Sequence, residues 1–288
     1  MKIQTAFLLI ALVTAPAIES LADTTASGTI GRKGVILQIK DAFAYEAPAS
    51  FGDGQSIKVR LVDFPLDRNA LTATLDYETE LNRQTQGKQY AELEFKLDGA
   101  WTGGGAYYLG EATCGWCQYG AQAGAAHTKI EAGTLKGMIK ANAKDQPDGD
   151  GMDADLSLNA PLSRQTGVTA LSADGGEPGK AYNACLVALA KNIKAAVIAS
   201  CFAKDDPWLA KTNIDYFSDE EFAAEVKGYR PGLQLDELKI SGGRVKGDQA
   251  ELYVTGKSTY EKSKGSVFMR RSQGSWYYSG EKLKAATD

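Results

Sequence analysis

The sequence predicts two folded units of different class: a mainly β N-terminal domain and an α+β C-terminal domain with helices packed on an antiparallel sheet. Apolar and polar residues alternate along most of Ala26–Leu162, which is typical of strands. Ser172–Lys180 is rich in glycine and lacks apolar periodicity, and beyond it the period is first helical and then two again. We therefore expect a β-rich domain at 23–171, a linker at 172–180 and an α+β domain at 181–288.

Residues 1–22 have the features of a secretory signal peptide. Lys2 precedes the apolar run Ala6–Val13, and small residues follow up to Ala17 and Ala22. The apolar run is much shorter than the ~20 residues that span a bilayer. We expect export with cleavage near Ala22, Ala17 being the second choice, and a periplasmic or secreted mature protein that does not insert into a membrane.

The charge of the chain argues against a nucleic-acid partner. The formal net charge is -4, whereas nucleic-acid and anionic-membrane binders usually carry a concentrated basic face. We interpret the basic residues near the C-terminus as a solvated, strand-rich surface whose lysines blunt exposed edges, and not as a binding patch. These residues are Arg244, Lys246, Lys257, Lys262, Lys264, Arg270 and Arg271.

One segment of the N-terminal domain has a pattern that is compatible with either a strand or a helix. The stretches SIKVRLVDF, YAELEFKLDG and TLKGMIKANA alternate as strands do. In Asn69–Gln84, Leu71 and Leu75 are spaced as on a helix, but alternation accounts for more of the positions. We predict a long strand here, with a helix as the alternative.

The C-terminal domain begins with helical patterns and ends with strands. Apolar faces recur through Tyr182–Ala190, Ala196–Cys201 and Phe217–Val226, and Ser218 is followed by three acidic residues, as at a helix N-cap. From Leu233 the period returns to two.

These C-terminal segments resemble the nuclear transport factor two-like, or cystatin-like, domains of exported bacterial proteins. The resemblance covers roughly residues 178 to 284 and includes Gly274-Ser275-Trp276, which matches the Gly-x-Trp of the family's last strand. It implies helices folded against a strongly curved sheet to form a cone. The fold hosts isomerases, dehydratases and non-catalytic members, so it does not define an activity. The N-terminal half weakly resembles a recurring exported bacterial β-domain of unknown role.

Acid–base catalysis in such a cone requires ionisable groups in an apolar pocket. The corresponding strands carry Glu251, Tyr253, Glu261 and Arg270, but alternation places Glu251 on the solvent face, opposite Leu252. His127 is the single histidine, no Gly-x-Ser-x-Gly turn accompanies it, and we interpret it as a loop residue. We expect no catalytic, cofactor-binding or metal-binding residues.

The Cys114-x-x-Cys117 pair is interpreted as a structural disulfide that closes a turn. Zinc usually needs four ligands, and the chain has no second pair of that kind. A redox dithiol sits at a helix N-terminus, whereas glycines flank this pair. The acidic run Asp145–Asp155 departs from EF-hand spacing, and a hairpin turn is favoured over a calcium loop.

Cys185 and Cys201 are expected to form a second disulfide if the helix between them is broken. In one straight helix their Cα atoms would lie about 24 Å apart. Lys191–Lys194 interrupts the apolar face, and the resembling family often has a turn at this place, which would bring the cysteines level in a helical hairpin. Two buried free cysteines in an unbroken helix are the alternative.

The sequence therefore predicts an exported, non-catalytic binding or interaction protein whose partner is an unknown protein or a small apolar ligand. Tyr182, Phe222, Tyr253 and Trp276 are candidates to line the cone, although the simpler interpretation is that they fill its core. The alternatives are an acid–base enzyme of isomerase or dehydratase type that uses the cone, and a thiol oxidoreductase that uses Cys114 and Cys117.

Overall fold

The computed structural model describes residues 25–32, 34–50, 54–118, 126–142, 152–257 and 262–286. Two sheets form in the N-terminal region and a third, with most of the helices, forms in the C-terminal region. This architecture confirms the predicted fold class. The N-terminal strands are β1 Ala26–Arg32, β2 Val35–Ile39, β3 Asp41–Pro48, β4 Gln55–Val62, β5 Tyr90–Phe95, β6 Trp101–Leu109, β7 Ala112–Gln118, β8 Ala126–Glu131, β9 Thr134–Ala141 and β10 Asp153–Ser163.

The N-terminal region consists of two five-stranded sheets that share one core. The first has the order β2-β1-β10-β9-β8, and the second runs β3-β4-β5-β6-β7 as an antiparallel meander. The C-terminal end of β10 pairs in parallel with β3 through Leu162 and Ser163, which joins the two sheets. Alternate residues of both sheets point into the core, among them Ile30, Leu37, Ile57, Leu93, Leu135 and Leu156.

The segment predicted as a long strand at 69–84 is instead two helices, α1 Arg68–Ala73 and α2 Tyr77–Thr85. Asp67 and Asp76 cap them, each accepting a hydrogen bond from the backbone N–H three residues later. Leu71 and Leu81 bury the apolar side of the helices against the second sheet. The strand prediction was wrong because these two caps satisfy helical N–H groups that alternation does not take into account.

A buried ion pair holds α2 on the second sheet. The Arg60 guanidinium donates to Glu92 from Nε at 3.0 Å and from Nη2 at 2.9 Å. The same guanidinium reaches α2, where it donates to Asn82 and Thr85. Tyr45 donates to the Glu92 carboxylate at 3.2 Å, and its own pKa is raised well above the usual value by burial and by the Glu92 charge.

The C-terminal region places helices on one face of a five-stranded sheet with the order β11-β12-β13-β14-β15. We call the helix-covered face the inner face and the opposite face the outer face. The helices are α3 Gly176–Ala190, α4 Lys194–Cys201, α5 Pro207–Lys211 and α6 Asp219–Tyr229, with 3-10 turns at Ile214–Tyr216 and Pro231–Leu233. The strands are β11 Thr169–Leu171, β12 Asp236–Lys246, β13 Gln249–Lys257, β14 Lys262–Ser272 and β15 Ser275–Ala285.

The predicted boundary segment 172–180 is structured. Helix α3 begins at Gly176, so half of the predicted linker forms its first turns. Strand β11, which was assigned to the N-terminal domain, pairs with β12 of the C-terminal sheet. Gly175 has φ +77°, and a Cβ there would lie 2.7 Å from Leu252, so glycine serves as the helix N-cap and not as a flexible joint.

Helices α3 and α4 form the predicted hairpin, and Cys185 and Cys201 form a disulfide with Cα atoms 4.8 Å apart. Asn192 adopts φ +51° in the turn between them, a conformation that asparagine tolerates better than most residues. Both cysteines are fully buried.

The corner between α1 and α2 contacts the outer face of the C-terminal sheet. The Gln249 side-chain oxygen accepts hydrogen bonds from Leu75 N at 2.8 Å and Thr74 Oγ1 at 3.1 Å. Lys282 pairs with Asp76 at 2.9 Å and with Glu78 at 3.1 Å. The two helices therefore contact both the second N-terminal sheet and the C-terminal sheet.

Within the ranges given above, no helix is both long enough and apolar enough to cross a bilayer. The predicted signal peptide lies outside those ranges.

Replacing both Cys185 and Cys201 with alanine is expected to lower the free energy of unfolding by ~3 kcal/mol, because the bond closes a long loop in the unfolded chain. The Cys114–Cys117 bond closes a much shorter loop, so replacing both of its cysteines with alanine is expected to lower the free energy of unfolding by ~2 kcal/mol. Denaturant titration of the oxidised proteins measures both values. A larger loss from the second variant would contradict the chain-entropy account.

Replacing Lys282 with glutamine is expected to cost about 1 kcal/mol at neutral pH, allowing for the partial exposure of the lysine. Burial alone would raise the pKa of Asp76, but the charge and hydrogen bond of Lys282 lower it overall. This stabilisation is present above the ordinary carboxyl pKa and is lost as the pH falls through the lowered value. Urea titrations across acid pH test this, with Lys264→Gln as the control. A constant difference between the wild type and Lys282→Gln at all pH values would contradict it.

Candidate functional site

The four predicted pocket residues do not share one cavity wall. Tyr182 and Phe222 are fully buried in the core between the helices and the inner face, and Trp276 packs partly buried against the same core. Tyr253 lies on the outer face and is 41% exposed. The prediction that these four aromatic residues line one pocket is therefore wrong for Tyr253.

The residues that the sequence suggested for acid–base catalysis take part in other hydrogen bonds and ion pairs. Glu251 lies on the outer face as predicted, but it is buried and not solvated: it accepts hydrogen bonds from Arg244 and Ser266. Arg270 forms two hydrogen bonds with the exposed Asp205. Glu261 lies outside the described residues.

A different set of polar groups meets on the inner face, around Arg230. The Arg230 guanidinium lies 5.0 Å from the Phe202 ring centre and 5.2 Å from that of Tyr278. Its Nη2 donates to both carboxylate oxygens of Asp206, which also caps α5. Arginine suits such a place because its planar group can stack on rings while donating in its plane.

The backbone of Gly232 connects two further residues to this set of polar groups. Its carbonyl accepts a hydrogen bond from the Tyr182 hydroxyl, and its N–H donates to the Glu281 carboxylate. A Cβ at position 232 would lie 2.9 Å from the Tyr278 hydroxyl and 3.1 Å from the Glu281 Cβ, so a side chain here would have to displace both residues. We call Tyr182, Asp206, Arg230, Gly232, Tyr278 and Glu281 the Arg230 cluster.

A bulge in β15 places two of these residues on the same face. Tyr278 is opposite Met269, but Gly280 is opposite the adjacent Phe268, so Ser279 is an extra residue in the strand. Regular alternation would direct Tyr278 and Glu281 to opposite faces. The bulge shifts the phase, and both side chains point inward.

Burial shifts two pKa values within the Arg230 cluster. It raises the pKa of Glu281, against the lowering effects of the Arg230 charge and the Gly232 N–H. It also raises the pKa of Tyr182, to which the nearby Glu281 charge contributes. An acid with a raised pKa among buried phenols is typical of functional sites, although structural clusters also show it.

Two polar atoms of the Arg230 cluster are buried without a hydrogen-bond partner among the described residues. They are Nε of Arg230 and the hydroxyl of Tyr278. Next to them, Trp208 stacks on Phe202 at 5.3 Å and on Tyr229 at 5.7 Å between ring centres, and Tyr229 is 62% exposed. These stacked rings, which we call the aromatic path, extend from the exposed Tyr229 through Trp208 to Phe202 beside the Arg230 guanidinium.

The Cys114–Cys117 disulfide lies within strand β7 and not in the predicted turn. Cys114 is opposite Tyr107 and Cys117 is opposite Gly105, so the bond closes a bulge against Ala106. Both cysteines pack against the N-terminal core, and neither begins a helix. This placement lacks the helix dipole that stabilises a reactive thiolate.

Within the described ranges, no three His, Cys, Asp or Glu side chains are placed to hold a metal ion. Most of the acidic run Asp145–Asp155 lies outside those ranges, while Asp153 and Asp155 belong to β10. His127 lies exposed on strand β8, so the loop assignment was wrong.

Comparison of the chain with protein-family models, with curated proteins and with solved structures found no match. The relation to nuclear transport factor two-like domains stays a prediction.

Replacing Glu281 with glutamine is expected to raise the free energy of unfolding at neutral pH by up to about 1 kcal/mol, with allowance for partial exposure. The raised pKa means that ionised Glu281 disfavours the folded state, and this cost appears as the pH rises above the ordinary carboxyl value. Thermal unfolding from acid to neutral pH measures it, with the exposed Glu225→Gln as control. A loss of stability at neutral pH in Glu281→Gln would contradict the prediction.

Proposed function

We propose that the chain is an exported, non-catalytic binding protein and that the Arg230 cluster holds the polar end of a small, mainly apolar ligand. The two disulfides support the export part of the proposal, since such bonds are typical of oxidising compartments.

The observation that carries the binding proposal is the pair of unpartnered donors, Arg230 Nε and the Tyr278 hydroxyl. Buried polar groups are nearly always hydrogen-bonded, because an unsatisfied one costs about 1–3 kcal/mol. An arginine nitrogen only donates, so the ligand must offer an acceptor such as a carbonyl, hydroxyl or carboxylate oxygen.

The apolar part of the ligand is assigned to the aromatic path. Trp208 and Tyr229 present stacked rings between the surface and the Arg230 cluster. Pockets for small molecules commonly combine aromatic walls with a few polar groups that fix orientation. The chemistry of the path favours a small apolar ligand over a protein partner.

An acid–base enzyme is the second candidate, favoured by the raised pKa of Glu281 beside Tyr278. It ranks second because the acids are already engaged: Asp206 by Arg230 and the α5 N-terminus, Glu281 by Gly232. A thiol oxidoreductase is less favoured, since Cys114 and Cys117 lie within a strand.

Replacing Tyr278 with phenylalanine separates binding from folding. Because the hydroxyl is buried with no partner within the described chain, its loss removes an unsatisfied group and is expected to raise the free energy of unfolding of the ligand-free protein by about 1 kcal/mol or more. Retention of a small molecule should fall at least ~10-fold, because a buried acceptor on the ligand loses its donor. Native mass spectrometry of protein purified from its own compartment, before and after denaturing extraction, measures retention.

Tyr277→Phe is the matched control, since Tyr277 is the neighbouring residue on the outer face. It should retain as much ligand as the wild type. The proposal fails if the wild-type protein retains no small molecule, or if Tyr278→Phe retains as much as the control. A retained molecule that is chemically converted during incubation would favour the enzyme instead.

A further inference from the structure

The Arg230 cluster contains two carboxyl groups and one guanidinium. Asp206 pairs with Arg230, and their side chains are 8% and 12% exposed. Glu281 is the second acid, and burial raises its pKa although the charge of Arg230 acts in the opposite direction. A raised carboxyl pKa means that the surroundings disfavour the negative charge. An anionic ligand would therefore add a further negative charge to a place that already opposes one.

The unpartnered Nε of Arg230 is adjacent to the Asp206 carboxylate. Nε and Nη2 lie on the same edge of a guanidinium, as Arg60 shows by donating from both atoms to one oxygen of Glu92. In Arg230, Nη2 donates to the two Asp206 oxygens at 3.2 Å and 3.3 Å, while Nε has no partner among the described residues. A ligand oxygen bound at Nε therefore lies beside the Asp206 carboxylate, which would repel a second carboxylate.

The two acids can accept more hydrogen bonds than they receive. An ionised carboxyl group offers about four lone-pair sites. Within the described part of the chain, Oδ2 of Asp206 accepts only from Arg230. Glu281 likewise accepts only from the Gly232 N–H. A Cβ placed at Gly232 would lie 2.9 Å from the Tyr278 hydroxyl oxygen and 3.3 Å from Oε2 of Glu281, so an unpartnered hydroxyl and a carboxylate are close together.

We propose that the polar end of the ligand is an uncharged hydroxyl group, so that the ligand is an apolar alcohol or phenol. Such a ligand presupposes the binding function proposed above and narrows its chemistry. A hydroxyl has one donor and two acceptor sites. It can accept from Arg230 Nε and from the Tyr278 hydroxyl. Its own proton can be donated to the carboxylate of Asp206 or Glu281.

Three other polar ends match the Arg230 cluster less well. A carboxylate accepts hydrogen bonds, but it has no proton to donate and it adds a negative charge. An alkylammonium group donates, but it cannot accept from the Arg230 guanidinium. A ketone accepts from Arg230 and Tyr278, but it leaves the two acids without a new donor. The hydroxyl is the one of these four groups that satisfies both kinds of protein group without a charge.

Calorimetric titration of the ligand-free, full mature protein tests this assignment. The probes are octanol, octanone, octanoate and octylamine, which share a chain length and differ in the polar end. We expect octanol to bind most tightly. Octanoate and octylamine should bind at least ~10-fold more weakly, because each loses a hydrogen bond to a buried group. Octanone should bind ~3-fold more weakly, because it lacks only the donated hydrogen bond.

Two variants that each remove one carboxylate test the origin of the preference. Asp206→Asn keeps a side-chain oxygen that can cap α5. Glu281→Gln is expected to be at least as stable as the wild type, so it provides the test even if Asp206→Asn does not fold. Each change should lower the ratio of the octanoate to the octanol dissociation constant ~5-fold or more.

Asp205→Asn is the matched control for Asp206→Asn. It removes the same charge one residue away, from a side chain that is 63% exposed and pairs with Arg270. Because exposed charges are screened by solvent, the ratio of the two dissociation constants should change less than ~2-fold. Thermal unfolding of all three variants shows whether each is folded.

The hydroxyl assignment is wrong if octanoate binds as tightly as octanol, or if neither carboxylate variant changes the ratio more than Asp205→Asn does. If octanoate binding is nevertheless lost in Tyr278→Phe, the binding proposal stands and only the ligand class is wrong. If none of the four probes binds, the hydroxyl assignment is also wrong. The retention of a natural molecule, measured as described above, then decides separately whether the binding proposal stands.

Discussion

The position of α2 depends on the buried pair of Arg60 and Glu92. The Arg60 side chain is 3% exposed, and its three donor nitrogens bind a carboxylate on one strand and two oxygens on the helix. Removing one member of such a pair typically costs about 3–5 kcal/mol, because the other charge is left buried. This pair makes the helix a fixed part of the N-terminal sheet surface. The same helix then carries Asp76 and Glu78 to Lys282.

This arrangement divides the C-terminal sheet into three environments. The inner face is covered by α3, α4 and α6 and contains the Arg230 cluster. One end of the outer face is covered by the α1–α2 corner, where the buried Glu251 pairs with the half-buried Arg244. The other end of the outer face carries Lys257 of β13 and Lys262 and Lys264 of β14. Because strand residues alternate between faces, one sequence stretch supplies all three environments.

Local signals predicted much of the fold. Alternation indicated the strands, Ser218 correctly marked the start of α6, and the interruption at Lys191–Lys194 led to the hairpin and its disulfide. The failure at 69–84 was also local, because the sequence contains the capping residues Asp67 and Asp76, which favour helices that the alternation of apolar residues does not indicate. The segment 172–180 is helical in its second half for another reason: a glycine-rich segment can begin a helix when its neighbours leave no room for a side chain, as at Gly175.

The candidate sites depend on pairings between residues far apart in the chain. Arg230, Tyr278 and Asp206 meet only because α6 returns to the sheet beside β15. Even a correct strand prediction would have placed Tyr278 and Glu281 on opposite faces of the sheet. The bulge at Ser279 brings both to the inner face, and no sequence pattern indicates that bulge. The lysines, in contrast, are visible in the sequence, but that β13 and β14 lie in the centre of the sheet is not, because strand order is not a local property.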